Sequence, residues 1–169
     1  DNNLVSIKHT PEYITNRAID TPTNSIITSL FSFERILTFL KYAIAYVEKT
    51  DENGITHLEK HLMRYPQFFA TKAIENKLDQ GVKNGIIWHT QGSGKTALSY
   101  YNVRYLTDYF QKRGTIAKFY FVVDRLDLLT QAANEFRARG LEVEEINSKE
   151  DFIKNIQTTG TSNNTGKAT

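Results

Sequence analysis

Residues 85–96 read GIIWHTQGSGKT, and this stretch decides the fold that we expect. The apolar run Gly85–His89 predicts a short strand, and a helical pattern begins at Lys95 and continues to about Phe110. A turn with two glycines joins the strand to the helix. This passage from strand to helix through a glycine-rich turn indicates the α/β class of folds.

The chain beyond this stretch continues the alternation of strands and helices. Ala117–Val123 is a near-continuous apolar run, which is typical of a strand buried on both faces of a parallel sheet. A helix over Leu126–Arg139 is expected to end at Gly140, and Leu141–Ile146 predicts a third strand. We therefore expect a doubly wound, mostly parallel sheet, in which Gly85–His89 and Ala117–Val123 are neighbouring or near-neighbouring parallel strands.

Helical periodicity and capping residues assign the other segments. An apolar stripe with steps of three and four residues predicts a helix over Ser25–Val47, and Thr50–Gly54 predicts a turn after it. A second helix is expected after this turn, followed by a helical stretch that ends at Leu78. Ser148 is expected to cap a last helix. The stripe consists of Leu30, Phe33, Leu37, Leu40, Ile44 and Val47.

These patterns divide the chain into four parts. We expect an extended lead-in over residues 1–24, a helical linker segment over 25–62, the N-terminal half of the sheet-containing domain over 63–157, and a flexible polar tail over 158–169. Because the chain starts at Asp1 rather than at a methionine, we also expect it to be a piece of a larger protein.

Composition narrows the range of functions only a little. The formal net charge is +2, so charge alone does not indicate nucleic-acid binding. The chain has no cysteine, which excludes disulfides and thiolate zinc sites. We expect no membrane association, because the apolar stretch Ile26–Val47 contains three charged residues and lacks the roughly 20-residue apolar run that a membrane span requires.

The turn Thr90–Gly94 has the composition of a phosphate-binding loop. Gly92 and Gly94 allow the backbone to curl, so that successive N–H groups point inward at phosphate oxygens. The following helix adds the partial positive charge of its N-terminus. The lysine of this motif, which is Lys95 here, binds the β- and γ-phosphates. The hydroxyl of the following residue, Thr96, binds Mg²⁺. The motif therefore predicts a site for a nucleoside triphosphate.

One position departs from the common pattern G-x-x-x-x-G-K-[ST]. His89 stands where the first glycine is expected. A bulkier residue is acceptable there if the strand ends at that point and the chain need not turn sharply. The alternative interpretation is a glycine turn beside a surface lysine, but the flanking strand and helix patterns favour the phosphate loop.

Two further segments carry groups suited to a nucleotide motor. Gln67 lies 28 residues before Lys95, and its amide offers both a donor and an acceptor, which suits recognition of the adenine edge. A solvated glutamine on a helix is the alternative. Val122–Gln131, which reads VVDRLDLLTQ, places charged and polar groups at the C-terminal end of a predicted strand. Open α/β sheets bind ligands at this edge.

Together these segments resemble superfamily 2 helicases and translocases. The stretches RYPQFFATKAIENKL, IIWHTQGSGKT and FYFVVDRLDLLTQAANEF are most similar to the motor, or R, subunit of type I restriction enzymes, densely over residues 64–140. The resemblance implies a RecA-like fold and a cytoplasmic enzyme that uses ATP and Mg²⁺. It also implies translocation and cleavage of double-stranded DNA in a complex with methyltransferase (M) and specificity (S) subunits.

The resemblance also assigns roles to individual residues. Gln67 would bind adenine with Arg64 beside it, and Arg125 would contact the DNA backbone, a contact that positions the protein without reading sequence. An ion pair with Asp127 is an equal alternative for Arg125, and we expect Asp124 to be the N-cap of the helix that follows. Lys95 and Thr96 would also be catalytic. We expect the phosphates to be surrounded by Thr90, Gln91, Gly92, Ser93, Gly94, Lys95 and Thr96.

Several motifs of such an enzyme are not found in the sequence. No Asp-Glu-x-His follows Val122–Gln131, so no acidic pair is placed to orient the attacking water. Glu75–Lys77 has the spelling of a nuclease motif, but we expect it on the solvated face of a helix. The chain alone is therefore expected to bind nucleotide without efficient hydrolysis. The alternatives are another superfamily 2 helicase or translocase, or a non-catalytic nucleotide-binding module. A transporter-type ATPase is not favoured, because the Leu-Ser-Gly-Gly signature is missing.

Overall fold

The computed structural model of the protein describes residues 33–146 and 148–161. This part of the chain combines helices and strands. Its elements in chain order are α1 (Phe33–Tyr42), β1 (Ile44–Thr50), β2 (Thr56–Leu62), α2 (Tyr65–Asp79), α3 (Lys95–Gln111), α4 (Leu126–Arg137) and α5 (Lys149–Thr161). None of the described helices is long and apolar enough to cross a membrane.

The three central helices lie where the sequence predicts them, and each ends in the same way. In α4 the Leu141 N–H donates to the carbonyl oxygen of Phe136 and the Gly140 N–H to that of Arg137. These two bonds form a Schellman motif, whose closing residue must adopt a left-handed conformation, and Gly140 has φ +79°. Helices α2 and α3 end in equivalent bonds at Gly81 and Gly114.

A β-hairpin replaces two of the predicted helical segments. The expected helix over Ser25–Val47 is helical only from residue 33 to residue 42, and residues 25–32 lie outside the described residues. Strands β1 and β2 pair in antiparallel register, with Ile44 opposite Leu62 and Thr50 opposite Thr56. The helix predicted after Gly54 is therefore wrong, as is the helical assignment of residues 44–47.

The predicted parallel strands are not paired in this structure. Within the described residues the only sheet is the β1–β2 hairpin, so the doubly wound sheet is not formed here. Residues 85–89, 117–123 and 141–146 are not part of any hydrogen-bonded ladder. In the first two segments apolar side chains are exposed, since Ile86 is 91% exposed and Val122 78%, whereas Leu141 and Val143 of the third are partly buried against the core. A strand requires a hydrogen-bonded neighbour, and the described part of the chain supplies none for these segments.

The core lies where the hairpin, α2, α3 and α4 meet. Two small residues, Ala43 just before β1 and Ala45 within it, pack there with large aromatic side chains that include Tyr101 and Phe136. The end of α4 is joined to the hairpin by a hydrogen bond from the Glu48 N–H to the Ala138 carbonyl oxygen, at 3.0 Å. The core therefore fixes α3, the helix that follows the phosphate loop, against the hairpin.

The last described element begins at the predicted cap. The Ser148 Oγ accepts a hydrogen bond from the Asp151 N–H at 3.1 Å, and the Ser148 hydroxyl donates to the Asp151 carboxylate at 2.6 Å. This confirms Ser148 as the cap of α5. The helix continues to Thr161, so the first four residues of the predicted polar tail are helical, and residues 162–169 lie outside the described residues.

Candidate nucleotide-binding site

The loop Thr90–Gly94 has the backbone geometry of an anion-binding turn. Gly92 has φ +73° and Gly94 has φ +82°, a region that residues with a side chain rarely adopt. Gly94 is the N-cap of α3, and its carbonyl oxygen accepts from the Leu98 N–H at 2.9 Å. Residues 95–97 lie between Gly94 and Leu98. Their N–H groups precede the first intrahelical hydrogen bond, and these N–H groups are therefore able to bind an anion.

Side chains within the loop hold it closed. The Ser93 hydroxyl donates to the Thr90 carbonyl oxygen at 2.7 Å and lies 3.3 Å from Nδ1 of His89. The Lys95 Nζ folds back over the same turn, at 3.1 Å from the Thr90 carbonyl oxygen. The ring of His89, which replaces the first glycine of the common motif, thus contacts the loop. Sequence reasoning missed this contact, and the spacing of four residues between His89 and Ser93 across the turn is the signal that could have found it.

The groups at the start of α3 fit a magnesium-bound triphosphate. Lys95 supplies a mobile positive charge, the helix N-terminus supplies N–H donors, and the half-buried Thr96 supplies a hydroxyl, a ligand suited to Mg²⁺. Among the described residues no group of three His, Asp or Glu side chains is placed to hold a metal ion.

Gln67 lies against the phosphate loop. Its side chain is buried, with 2% of the residue exposed. The amide Nε2 donates to the Gly94 carbonyl oxygen at 3.0 Å, and Oε1 accepts from the Arg64 N–H at 2.8 Å. The structure thus brings Gln67 to the loop across 27 residues of sequence, a contact that sequence reasoning had not predicted. Arg64 takes part through its backbone, as the N-cap of α2.

A row of polar contacts fixes α3 beside α2. Beyond the contact between Gln67 and Gly94, the Thr71 hydroxyl donates to Asn102 Oδ1 at 2.8 Å, and the Tyr109 hydroxyl donates to Asp79 Oδ1 at 2.7 Å. Because the partners occur in the same order along both helices, α2 and α3 run in the same direction. Sequence reasoning missed this row, since helical periodicity does not show which polar residues meet.

The motif that follows the second apolar segment is exposed and paired internally. The Arg125 Nη2 lies 2.6 Å from Asp127 Oδ2 and the Arg125 Nε 3.1 Å from Asp127 Oδ1, and both side chains are largely exposed. The predicted alternative of an ion pair is therefore the arrangement found here. Asp124 is not the N-cap of α4, because Arg125 holds that position without a side-chain hydrogen bond. Glu75 lies in α2, as predicted, and pairs with Lys72.

The loop lies within a region of the chain that matches a known protein family. The SWI2/SNF2 ATPase family matches residues 66–165, which is more than half of the chain. The chain belongs to the SWI2/SNF2 ATPase family. This assignment establishes an ATPase domain, and therefore the use of ATP, as the sequence motif predicted.

Relatives of this ATPase carry the names of restriction enzyme subunits. A protein of Methanocaldococcus jannaschii named as the MjaVIIP type I restriction enzyme endonuclease subunit is 34% identical over 142 residues, 76% of this chain and 13% of its own length. The SsaAORF53P endonuclease subunit of Staphylococcus saprophyticus is 34% identical over 97 residues, and the SauCOLORF180P subunit of Staphylococcus aureus is 38% identical over 74 residues. They confirm the resemblance to R subunits that the motifs indicated.

The matched relatives are much longer than this ATPase chain. It spans 13% of the first relative, 10% of the second and 8% of the third. In the second and third the match covers 56% and 44% of this chain. No solved structure matches the chain significantly.

Proposed function

We propose that the chain is the ATP-binding motor portion of the R subunit of a type I restriction-modification enzyme. In the full-length protein it would couple ATP hydrolysis to translocation of double-stranded DNA and to DNA cleavage. The observation that carries the proposal is the loop Thr90–Gly94, where two left-handed glycines lead into α3 with Lys95 at its start. The names of the relatives supply the restriction context.

The residues of the loop would bind and neutralise the triphosphate. The backbone N–H groups at the start of α3 and the Lys95 ammonium group would surround the phosphate oxygens, and the Thr96 hydroxyl would hold Mg²⁺. Mg²⁺ held there would help to neutralise the negative charge of the triphosphate. Because the sequence contains no Asp-Glu-x-His, we expect the chain by itself to bind nucleotide without efficient hydrolysis.

The domain organisation follows from this proposal. Residues 63–157 would form the N-terminal half of a RecA-like domain, in which segments 85–89, 117–123 and 141–146 become strands of a doubly wound, mostly parallel sheet. The exposed apolar side chains of the first two segments support this, because large exposed apolar patches mark surfaces that a partner covers. The preceding segment 25–62, which we expected to be a helical linker, would join this domain through α1 and the hairpin.

Contacts with adenine and DNA are part of the same proposal. Gln67 would bind the adenine edge, with Arg64 beside it. Arg125 would contact the DNA backbone after exchanging its partner Asp127 for a phosphate, which its exposed position allows. The partners would be double-stranded DNA and the M and S subunits. We expect the complex in the cytoplasm.

One assay separates this function from its alternatives. ATP hydrolysis by the full-length protein, assembled with its partner subunits, is measured with and without double-stranded DNA that carries a recognition site. A type I motor gives hydrolysis that requires DNA with the site. Another superfamily 2 translocase gives stimulation by DNA regardless of the site, and a non-catalytic nucleotide-binding module gives no turnover under either condition.

A further inference from the structure

The Gly94–Lys95 peptide unit links the phosphate loop to the start of α2. The Gly94 carbonyl oxygen accepts two hydrogen bonds, one from the Leu98 N–H at 2.9 Å and one from the Gln67 amide at 3.0 Å. A peptide unit is planar and trans, so its N–H points away from its carbonyl group. Holding the Gly94 carbonyl therefore fixes the direction of the Lys95 N–H, which is one of the donors at the N-terminus of α3.

Gln67 is itself held in place at both ends of its amide. Its Oε1 accepts from the Arg64 N–H at 2.8 Å, which satisfies one of the unpaired donors at the start of α2. The side chain is buried, and a Cβ added at Gly94 would lie 2.5 Å from its Nε2. The amide thus fills the space beside Gly94 and cannot turn away without losing both hydrogen bonds.

We propose that Gln67 is a positioning residue of the phosphate loop, which orients the Gly94–Lys95 peptide toward the triphosphate. This inference rests on the proposed nucleotide-binding function and deepens it, and it replaces the adenine contact suggested for Gln67, because both ends of the amide are already hydrogen-bonded within the protein. An adenine contact acts only on nucleotides that carry adenine. A contact with the loop backbone acts on the polyphosphate, whichever base is attached and even when no base is present.

The test uses ligands with and without a base. In the full-length protein with Mg²⁺, ATP, GTP and inorganic tripolyphosphate are each titrated against a bound fluorescent ATP analogue to obtain dissociation constants. The variants are Gln67→Ala and Gln67→Met, of which the second keeps the side-chain length and removes both hydrogen bonds. Gln80→Ala, at the exposed end of α2, is the matched control. Thermal unfolding of each variant shows whether the fold is retained.

The two roles of Gln67 give different patterns of affinity. We expect both Gln67 variants to weaken the binding of tripolyphosphate, ATP and GTP by a similar factor of about two to ten, as for the loss of one neutral hydrogen bond. Gln80→Ala is expected to leave all three dissociation constants unchanged. If Gln67→Met binds tripolyphosphate as tightly as the wild type does, the positioning role is overturned. The variant Lys95→Ala distinguishes failure of the Gln67 role from failure of the proposed phosphate loop. If Lys95→Ala also leaves tripolyphosphate binding unchanged, the proposed phosphate loop itself is wrong.

Discussion

Lys95 is exposed, and the hydrogen bonds of its ammonium group within the described residues go to the carbonyl oxygens of Thr90 and His89, at 3.1 Å and 3.4 Å. Removing it therefore disturbs no buried contact. In the full-length protein, Lys95→Ala is expected to abolish DNA translocation and to reduce DNA-stimulated ATP hydrolysis at least a hundredfold. Each tenfold loss corresponds to about 1.36 kcal/mol of lost transition-state stabilisation.

Lys112→Ala is the control for this prediction, because Lys112 is an exposed lysine at the opposite end of the same helix. Steady-state ATPase and thermal unfolding are measured for both variants. Near-normal turnover in Lys95→Ala would make Lys95 an ordinary surface residue.

Gly94 permits a second comparison at the scale of single residues. Its φ of +82° is close to the +78° of Gly54 in the hairpin turn, so alanine pays a similar conformational strain, about 1–2 kcal/mol, at both positions. At Gly94 the new Cβ would also lie 2.5 Å from the Gln67 Nε2, which is too close. At Gly54 no atom lies within 4 Å of the new Cβ. We expect Gly94→Ala to lower the free energy of unfolding more than Gly54→Ala does, as measured by urea denaturation. Equal losses would show that Gln67 does not hold its place beside Gly94.

Single residues of the site were predictable only where a motif determines them. The sequence placed Gly92, Gly94, Lys95 and Thr96 correctly at the start of α3, because the spacing in the motif is set by the geometry of the loop itself. The contact of Gln67 with Gly94 could not be predicted, because it depends on how α2 lies against α3.

The helices and strands differ in how well the sequence determined them. Helices α2, α3 and α4 were predicted from their helical patterns, and the end of α4 also from Gly140, which adopts a left-handed conformation there. The hairpin was mistaken for helix because apolar residues spaced by three or four also occur in β1 by chance. Its burial follows a period of two, with Ala45 and Val47 buried and Tyr46 exposed. Small alanines do not reveal this alternation until the large residues that cover them are known.

A charged cluster joins α1 to α3 and makes stability depend on pH. The Tyr42 hydroxyl donates to the Asp108 carboxylate at 2.7 Å, and Lys41 forms an ion pair with the same oxygen. The hydrogen bond from Lys41, and then that from Tyr42, lowers the pKa of Asp108 below its ordinary value of 3.8. The contribution of ionised Asp108 to the free energy of unfolding is therefore complete above its pKa in the unfolded state. This contribution is lost as the pH falls through the lower pKa of the folded state.

Asp108→Asn tests this dependence at the level of the two helices. The amide stays uncharged, so the variant is expected to be less stable than the wild type at about pH 6, with the difference shrinking as the pH falls below 3.8. Urea denaturation at a series of pH values measures the effect. A stability difference that stays constant over this range would contradict the prediction.

For the molecule as a whole, the unpaired segments decide whether the expected sheet exists in the longer protein. Residues 117–123 belong to no hydrogen-bonded ladder here, and the side chains of Phe121 and Val122 are 42% and 78% exposed. The sequence predicts that these residues form a strand, and no strand is formed there in this structure. It cannot show what lies beside them, because strand pairing depends on partners that are distant along the chain.

Amide hydrogen exchange distinguishes the two states of these segments. Exchange requires the N–H to be free of its hydrogen bond, so residues 117–123 are expected to exchange rapidly in the 169-residue chain. In the full-length protein, a completed parallel sheet would bond their N–H groups to neighbouring strands and slow exchange by several orders of magnitude. Residues 98–109 of α3 are the internal control, because their helical hydrogen bonds are formed already in the present structure and should protect them in both proteins. If residues 117–123 exchange equally fast in the full-length protein, while the α3 control is protected, they form no strand there. The doubly wound sheet would then have to be abandoned, although the phosphate loop at the start of α3 would still stand on its own geometry.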